Sequence, residues 1–330
     1  MNAITPDMLP WIYAAVLFLV GLAVGSFLNV VIYRAPLDKS LLNPPSHCPR
    51  CNTRIRARDN IPVLGWLLLG GKCRDCRLPI SPRYPLIELA TGLLWAFAGA
   101  RLARLPYGFY DNILLGLVAV AFVSAMVVTF FVDLDHLIIL DEISLGGTVL
   151  SLAAAVAVPA LHHAAHPLQF ATYHPFLNSY FAGRSGWQQS LCTAMVGLVA
   201  GLALSYALYF SANIAFKKQI EAARETDPEI DSALGLGDVK FMALAGALLG
   251  APGAFFTLFA GAIIGSVAGT VLKLCAGSPE GKTGLAGLAN RWRTGDSVFP
   301  FGPFLVIAAL IYFFWQDAIR ITAFSTLFPS

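Results

Sequence analysis

Gly235-Leu236-Gly237-Asp238-Val239-Lys240 runs directly into the apolar stretch Phe241 to Gly250. A carboxylate placed where an apolar helix meets the bilayer is expensive and marks a functional position. The two glycines let backbone and substrate approach the acid. Asp133 closes a second apolar run, Val118 to Val132, in the same manner. Two such acids can share one proton and hydrolyse a peptide bond.

Working outward, the 330-residue chain is 57% hydrophobic and only 12% charged, with a mean hydropathy of +0.69. A soluble core needs no such excess, so the composition predicts an all-α polytopic membrane protein. A run of about 20 apolar residues spans a bilayer. That rule predicts about eight transmembrane helices, near 11–33, 86–104, 112–132, 137–160, 188–214, 238–251, 252–272 and 298–317. The sixth is short enough to be tilted or re-entrant. The first lacks a basic leader region and a small-residue cleavage site, so it reads as a retained helix.

Basic residues orient the chain. The loops 34–85, 215–237 and 273–297, together with Lys240, hold 18 of the 22 Lys and Arg residues; Arg101, Arg104, Arg184 and Arg320 lie on the other face. This asymmetry predicts an external N-terminus and places Asp133 and Asp238 at the cytoplasmic surface. The net charge of +3 is then accounted for by loops facing anionic lipid, without nucleic acid.

The loop 34–85 reads Cys48-Pro49-Arg50-Cys51, twenty-one residues, then Cys73-Arg74-Asp75-Cys76. Two C-x-x-C pairs at this separation predict a small zinc-ribbon-like domain in which Cys48, Cys51, Cys73 and Cys76 supply four thiolates. A disulfide framework is disfavoured in reducing cytoplasm, and a redox C-x-x-C by the lack of a surrounding βαβ pattern. A loop this small buries little core, so metal would provide most of its folding energy. His47 adjoins the first pair, but four thiolates already fill a tetrahedral site. Cys192 and Cys275 read as packing residues.

Other motifs weaken on inspection. Gly277-Ser278-Pro279-Glu280-Gly281-Lys282-Thr283 has a P-loop's composition, but its first glycine is one residue too close and no strand precedes it. Gly197 with Gly201, Gly246 with Gly250, and Gly261, Gly265 and Gly269 recur every four residues, as close helix packing in lipid requires. The segment 161–187 carries His162, His163, His166 and His174. It reads as a solvated external loop, with metal binding at His162 and His166 as the minority alternative.

In this order the blocks Gly25-Ser26-Phe27-Leu28-Asn29-Val30-Val31-Ile32-Tyr33-Arg34, the paired cysteines around Asn60-Ile61-Pro62, Ile80-Ser81-Pro82-Arg83-Tyr84-Pro85-Leu86-Ile87-Glu88-Leu89, the G-x-G-D-x-K signature and Pro300-Phe301-Gly302-Pro303 resemble the bifunctional prepilin peptidases of type IV pilus and type II secretion systems. One G-x-G-D is weak, but five ordered blocks are specific. The resemblance implies catalytic Asp133, from the pattern D-L-D, and Asp238, with the four cysteines as zinc ligands. It implies three regions: a first transmembrane helix (1–33), a cytoplasmic four-cysteine domain (34–85) and a helical membrane peptidase domain (86–330). Its substrates would be prepilins and pseudopilins in the bacterial inner membrane, cut after glycine at the cytoplasmic face. Relatives with the cysteine loop also use S-adenosylmethionine to N-methylate the new N-terminal phenylalanine. No nucleotide-binding fingerprint supports that activity independently.

Two departures from the family pattern stand out. Leu140 precedes Asp141 where proline is expected, which leaves Asp135 as a substitute for Asp133. The interval from Asp133 to Asp238 is also long, and the His-rich segment accounts for the excess. Lys240 has two readings, stabilising an ionised Asp238 or facing lipid headgroups. An ion-coupled transporter also uses intramembrane acids and Gly-rich breaks, but it places its acids near the midplane and often shows repeated halves, which this chain lacks.

Overall fold

The computed structural model describes residues 8–104, 109–163, 186–226, 232, 234–275 and 300–327. Regular structure among these residues is helical, and β-pairing is limited to two isolated bridges, His47 with Arg54 and Lys72 with Pro79. The helices are α1 (Leu9–Arg34), α2 (Leu64–Leu68), α3 (Arg83–Leu102), α4 (Phe109–His136), α5 (Asp141–Ala157), α6 (Ala160–His163), α7 (Gly186–Ala215), α8 (Lys217–Thr226), α9 (Leu236–Cys275) and α10 (Gly302–Leu327).

Every apolar segment predicted above falls on a helix. Four stretches, Leu9–Leu37, Asn112–His136, Gly186–Ala215 and Leu236–Val271, are long and apolar enough to cross a membrane. The sixth and seventh segments form one helix, α9, interrupted at Gly250 (φ 74°, ψ 176°). Only glycine adopts that backbone readily, and Pro252, two residues on, has no amide to donate. Gly250, expected to serve close packing, does so and also breaks the helix: a Cβ on Gly197 of α7 would stand 2.7 Å from the Gly250 Cα. The fifth helix starts later than expected, at Asp141, because Leu137 leaves α4 in the left-handed conformation (φ 58°) and the chain turns before re-entering a helix. The residues 164–185 and 276–299, with most of the His-rich segment and the P-loop-like stretch, lie outside the described residues.

The chain forms two compact units, Met1–Val132 and Asp133–Ser330, whose boundary falls within α4. In the first, α1 and α3 pack at backbone distance. A Cβ on Gly25 would stand 2.8 Å from the Glu88 Cα, and one on Gly99 3.1 Å from the Tyr13 carbonyl oxygen. Asn29 Nδ2 donates to the Tyr84 carbonyl at 3.2 Å, and the Trp95 indole donates to Ser124 of α4 at 3.2 Å. Between α1 and α3 the polypeptide makes the cysteine loop.

In the second unit α7 and α9 are the closest pair. A Cβ on Gly197 would collide with the Gly246 carbonyl and one on Gly201 with the Met242 carbonyl. The small residues expected to mediate packing in lipid do so here, because only a missing side chain lets two backbones touch. Gly261 and Gly265 likewise receive Leu305 and Phe304 of α10, and Gly147 of α5 receives Leu244 of α9. Phe241, Met242, Ala245 and Ala247 are fully buried, so the first half of α9 is the core of this unit.

Candidate functional site

Asp133 lies in the last turn of α4, and Asp238 in the first turn of α9. Both side chains are buried, at 5% and 9% exposure, although each belongs to a helix end where a carboxylate would ordinarily reach water. The two are close enough for the charge of Asp133 to act on Asp238. The amide of Gly302, the first residue of α10, donates to the Asp133 carboxylate. Asp133 Oδ2 has no hydrogen-bond partner among the described residues. Asp238 accepts from the Gly235 amide and returns a bond from its own amide to the Gly235 carbonyl at 3.2 Å.

Three glycines shape this pair. A Cβ on Gly302 would stand 2.6 Å from Asp133 Oδ2 and 3.0 Å from its Cγ, so a side chain there would press on the carboxylate itself. One on Gly237 would meet Ile139 Cβ at 3.2 Å, and one on Gly235 would stand 3.5 Å from Asp238 Oδ2. Ile139, in the turn between α4 and α5, is the apolar side chain that a Cβ on either Gly237 or Gly302 would meet, at 3.2 and 3.3 Å.

Within D-L-D the two aspartates separate cleanly, since Asp133 is buried and Asp135 exposed. Lys240 pairs with an acid other than Asp238. Its Nζ lies 2.6 and 2.8 Å from the two carboxylate oxygens of Asp141, at the start of α5. The pair is half-exposed and contributes little stability by itself, but it ties the first turns of α5 and α9 together.

The four cysteines converge as their spacing predicts. The sulfurs of Cys48, Cys51, Cys73 and Cys76 all lie within 4.8 Å of one another, and Cys48 Sγ and Cys76 Sγ are 3.9 Å apart. Tetrahedral coordination with metal–sulfur bonds of about 2.3 Å requires edges of about 3.8 Å, so the donor set fits a metal ion. Two matching turns build it. The Cys48 amide bonds to Thr53 and the Asn52 amide returns to Cys48, while the Cys73 amide bonds to Leu78 and the Arg77 amide returns to Cys73. Asn52 and Arg77, each following the second cysteine of its pair, both have positive φ. Amide donors aim at the sulfurs: the Thr53 hydroxyl and amide pull the Cys51 thiol down to about 6, and the amides of Cys76 and Asp75 lower that of Cys73. These two positions favour thiolate, while without a metal burial and the neighbouring cysteine thiols push Cys76 up to about 11. Asp59 and Arg74 brace the loop through paired bonds of 2.5 and 2.7 Å, with the guanidinium holding Asp59 below the usual carboxylate range. His47 bonds to the Pro45 carbonyl through Nδ1, and His162 to Ser190 through Nδ1 at 2.9 Å.

Sequence reasoning missed Glu88. Its carboxylate, buried in α3, accepts the Val63 amide at 2.7 Å and a bond from Ser26. The signal is an acid within the apolar segment 86–104, less conspicuous than the two acids at segment ends.

Residues 19–102 match the Bacterial Peptidase A24 N-terminal domain, and residues 120–270 match the Type IV leader peptidase family. A protein of Aeromonas hydrophila described as a prepilin leader peptidase/N-methyltransferase is 30% identical over 94% of this chain and 93% of its own length. One of Myxococcus xanthus with the same description is 35% identical over 82% of this chain and 67% of its own. A type 4 prepilin-like proteins leader peptide-processing enzyme of Escherichia coli is 31% identical over 90% and 91%. No solved structure matches the chain. Two buried carboxylates at helix ends, a four-cysteine loop and matches over most of the length lead to one conclusion: the chain belongs to the type IV leader peptidase family.

Proposed function

We propose that this chain is a membrane aspartyl endopeptidase that removes the leader from type IV prepilins and type II secretion pseudopilins, then N-methylates the new N-terminal residue. The observation that carries the reading is the buried pair Asp133 and Asp238, brought together with an open acceptor on Asp133, in a member of this peptidase family. One carboxylate takes a proton from the attacking water while the other, protonated, polarises the scissile carbonyl and later protonates the leaving amine. The Gly302 amide orients Asp133, and Ile139 limits the water that reaches the pair.

The methyl donor is S-adenosylmethionine, which supplies an activated methyl group to the amine that cleavage exposes. Zinc is the metal of the four-cysteine cluster, held by Cys48, Cys51, Cys73 and Cys76 as a structural cross-link. The protein is read as crossing the bacterial inner membrane about eight times, its active site at the cytoplasmic face, with 34–85 as a cytoplasmic domain between the first helix and the peptidase domain 86–330. The charge distribution of the loops supports that orientation.

The test is purified protein with a synthetic prepilin, with product mass recorded with and without S-adenosylmethionine. Cleavage after the leader glycine, and a methyl increment only when the donor is present, are expected. An intact substrate under conditions where the protein is folded and inserted removes the peptidase reading; cleavage without any methyl increment reduces the chain to a peptidase.

Gly302 gives a sharper check. Gly302→Ala forces a methyl group against the Asp133 carboxylate, and a displacement of about 1 Å at a reacting group lowers rate on the order of 10²-fold. Cleavage should fall by that order while membrane insertion and metal content stay at the wild-type level. Wild-type cleavage by Gly302→Ala would show that Asp133 tolerates displacement and is not a reacting group in this geometry.

A further inference from the structure

The cysteine loop contains a segment built unlike a solvated loop. Ile61-Pro62-Val63-Leu64-Gly65-Trp66-Leu67-Leu68-Leu69 holds no charge, and its short helix α2 turns its leucines outward. Ile61 is 45% exposed, Leu64 55%, Leu67 58% and Leu68 81%. The inward side is accounted for. Trp66 donates to the Ile80 carbonyl at 3.0 Å, its ring covers Gly71, and Gly65 rests against the Asp59 backbone. Much of each of these side chains is therefore left uncovered by the described residues, and four exposed aliphatic side chains in one segment mark an interaction surface.

What covers them follows from where α2 is held. Val63, its N-cap, adopts φ 61° and ψ −52°, a conformation that a β-branched residue avoids. The Glu88 carboxylate fixes it there through the Val63 amide at 2.7 Å. Glu88 packs against Gly25 of α1, whose added Cβ would stand 2.8 Å from the Glu88 Cα. The start of α2 is thereby latched near the level of Gly25. That glycine lies nine residues before Arg34, the end of α1, or roughly 14 Å along the helix axis.

The 26 residues of α1 are roughly 39 Å long, against a hydrocarbon core of about 30 Å. If the whole surplus of roughly 9 Å projected at the Arg34 end, Gly25 would still lie about 5 Å inside the core; tilting the helix sets it deeper. The Glu88 side chain, leaning toward the N-terminus of α3, recovers about that depth. The latch thus sets Val63 at the boundary between acyl chains and headgroups, and the outward leucines face lipid.

Charge agrees with this placement. The loop 34–85 carries ten basic residues against three acidic ones, and Arg58, Lys72 and Arg77 are exposed, as an anionic headgroup layer favours.

We propose that α2 is a membrane-interface anchor: Ile61, Leu64, Leu67 and Leu68 insert into the acyl-chain boundary of the leaflet on the Arg34 side and hold the four-cysteine loop against the bilayer. Because only Leu69 to Lys72 separate α2 from Cys73, the anchor also fixes the second cysteine pair close to the membrane surface. The partner is the lipid itself, so the inference stands whether or not the chain is a peptidase.

The test uses the full chain in nanodiscs of phosphatidylethanolamine and phosphatidylglycerol, with Cys192 and Cys275 replaced by Ala and a nitroxide attached after Leu68→Cys. Collision with oxygen, which concentrates in lipid, is compared with collision with a water-soluble nickel chelate. The oxygen-to-nickel ratio should be severalfold higher than for a label after Arg54→Cys and approach that after Leu19→Cys on the exposed side of α1. A ratio equal to that at Arg54 would overturn the proposal in favour of a solvated loop. Suppressed collision with both reagents would overturn it in favour of a protein partner. A second variant, Leu67→Asp with Leu68→Asp, leaves the inward contacts of Trp66 and Gly65 in place and should keep its bound metal. Its amides between 61 and 80 should exchange hydrogen severalfold faster in the same nanodiscs; unchanged exchange would contradict an anchoring role.

Discussion

Asp133→Asn and Asp238→Asn are each expected to reduce leader cleavage by at least 10²–10⁴-fold, roughly what a lost general acid or base costs, while the protein remains inserted. An amide keeps the volume and much of the hydrogen bonding of a carboxylate but neither accepts the proton of a water nor carries one to the leaving group. The Gly302 and Gly235 amides still find an acceptor in asparagine, so the fold should survive. Asp135→Asn is the internal control: its side chain is exposed and the variant should cleave at close to the wild-type rate. Cleavage assays on the three variants at equal amounts of inserted protein decide the matter. Normal cleavage by Asp133→Asn together with loss in Asp135→Asn would reverse the assignment within D-L-D. The same variants also separate the two activities. Asp238→Asn should still methylate a pilin supplied already cleaved, because methyl transfer to a free amine needs no pair of carboxylates.

Metal removal is expected to have the next largest effect. Purified protein should contain about one zinc per chain, since four thiolates at this separation make one tetrahedral site. Cys48→Ser or Cys76→Ser should lower that content. The loop's secondary structure is limited to short helical turns and two isolated bridges, so its order depends on the metal, whose binding in comparable small sites is worth about 10–16 kcal/mol. Chelation should therefore release the loop to rapid hydrogen exchange, with a larger loss of methylation than of cleavage. Full zinc occupancy in a variant lacking all four cysteines would place the metal elsewhere.

Much of this protein is legible in its amino-acid order. Long apolar runs force helices because a bilayer leaves backbone groups no other partner, and each predicted segment lies on one. The cysteine pairs announce their cluster through spacing, since C-x-x-C places two sulfurs in one turn. The acids stand out because a carboxylate beside about twenty apolar residues needs a reason. The glycines at 197, 201 and 246 are also readable as helix contacts.

Other features depend on which surfaces the packed chain brings together. Residues two apart on a helix point about 200° apart, so the sequence offers Asp133 and Asp135 alike, and only the packing of α4 chooses which is buried. Lys240 meets Asp141, ninety-nine residues away, a partner no local pattern names. Gly250 and Gly246 look alike as members of one four-residue repeat, and both lie against Gly197 of α7, yet only Gly250 also breaks α9. The approach of Gly302 to Asp133, and the latch from Glu88 to Val63, join segments remote in sequence. The sequence by itself determined the helices, the membrane setting and the chemical types present, because those follow from hydropathy, backbone hydrogen bonding and residue spacing along the chain. Tertiary structure alone decided which acid is buried, which cation it does without and how the cysteine loop is held, because these depend on contacts between distant segments that no local pattern encodes.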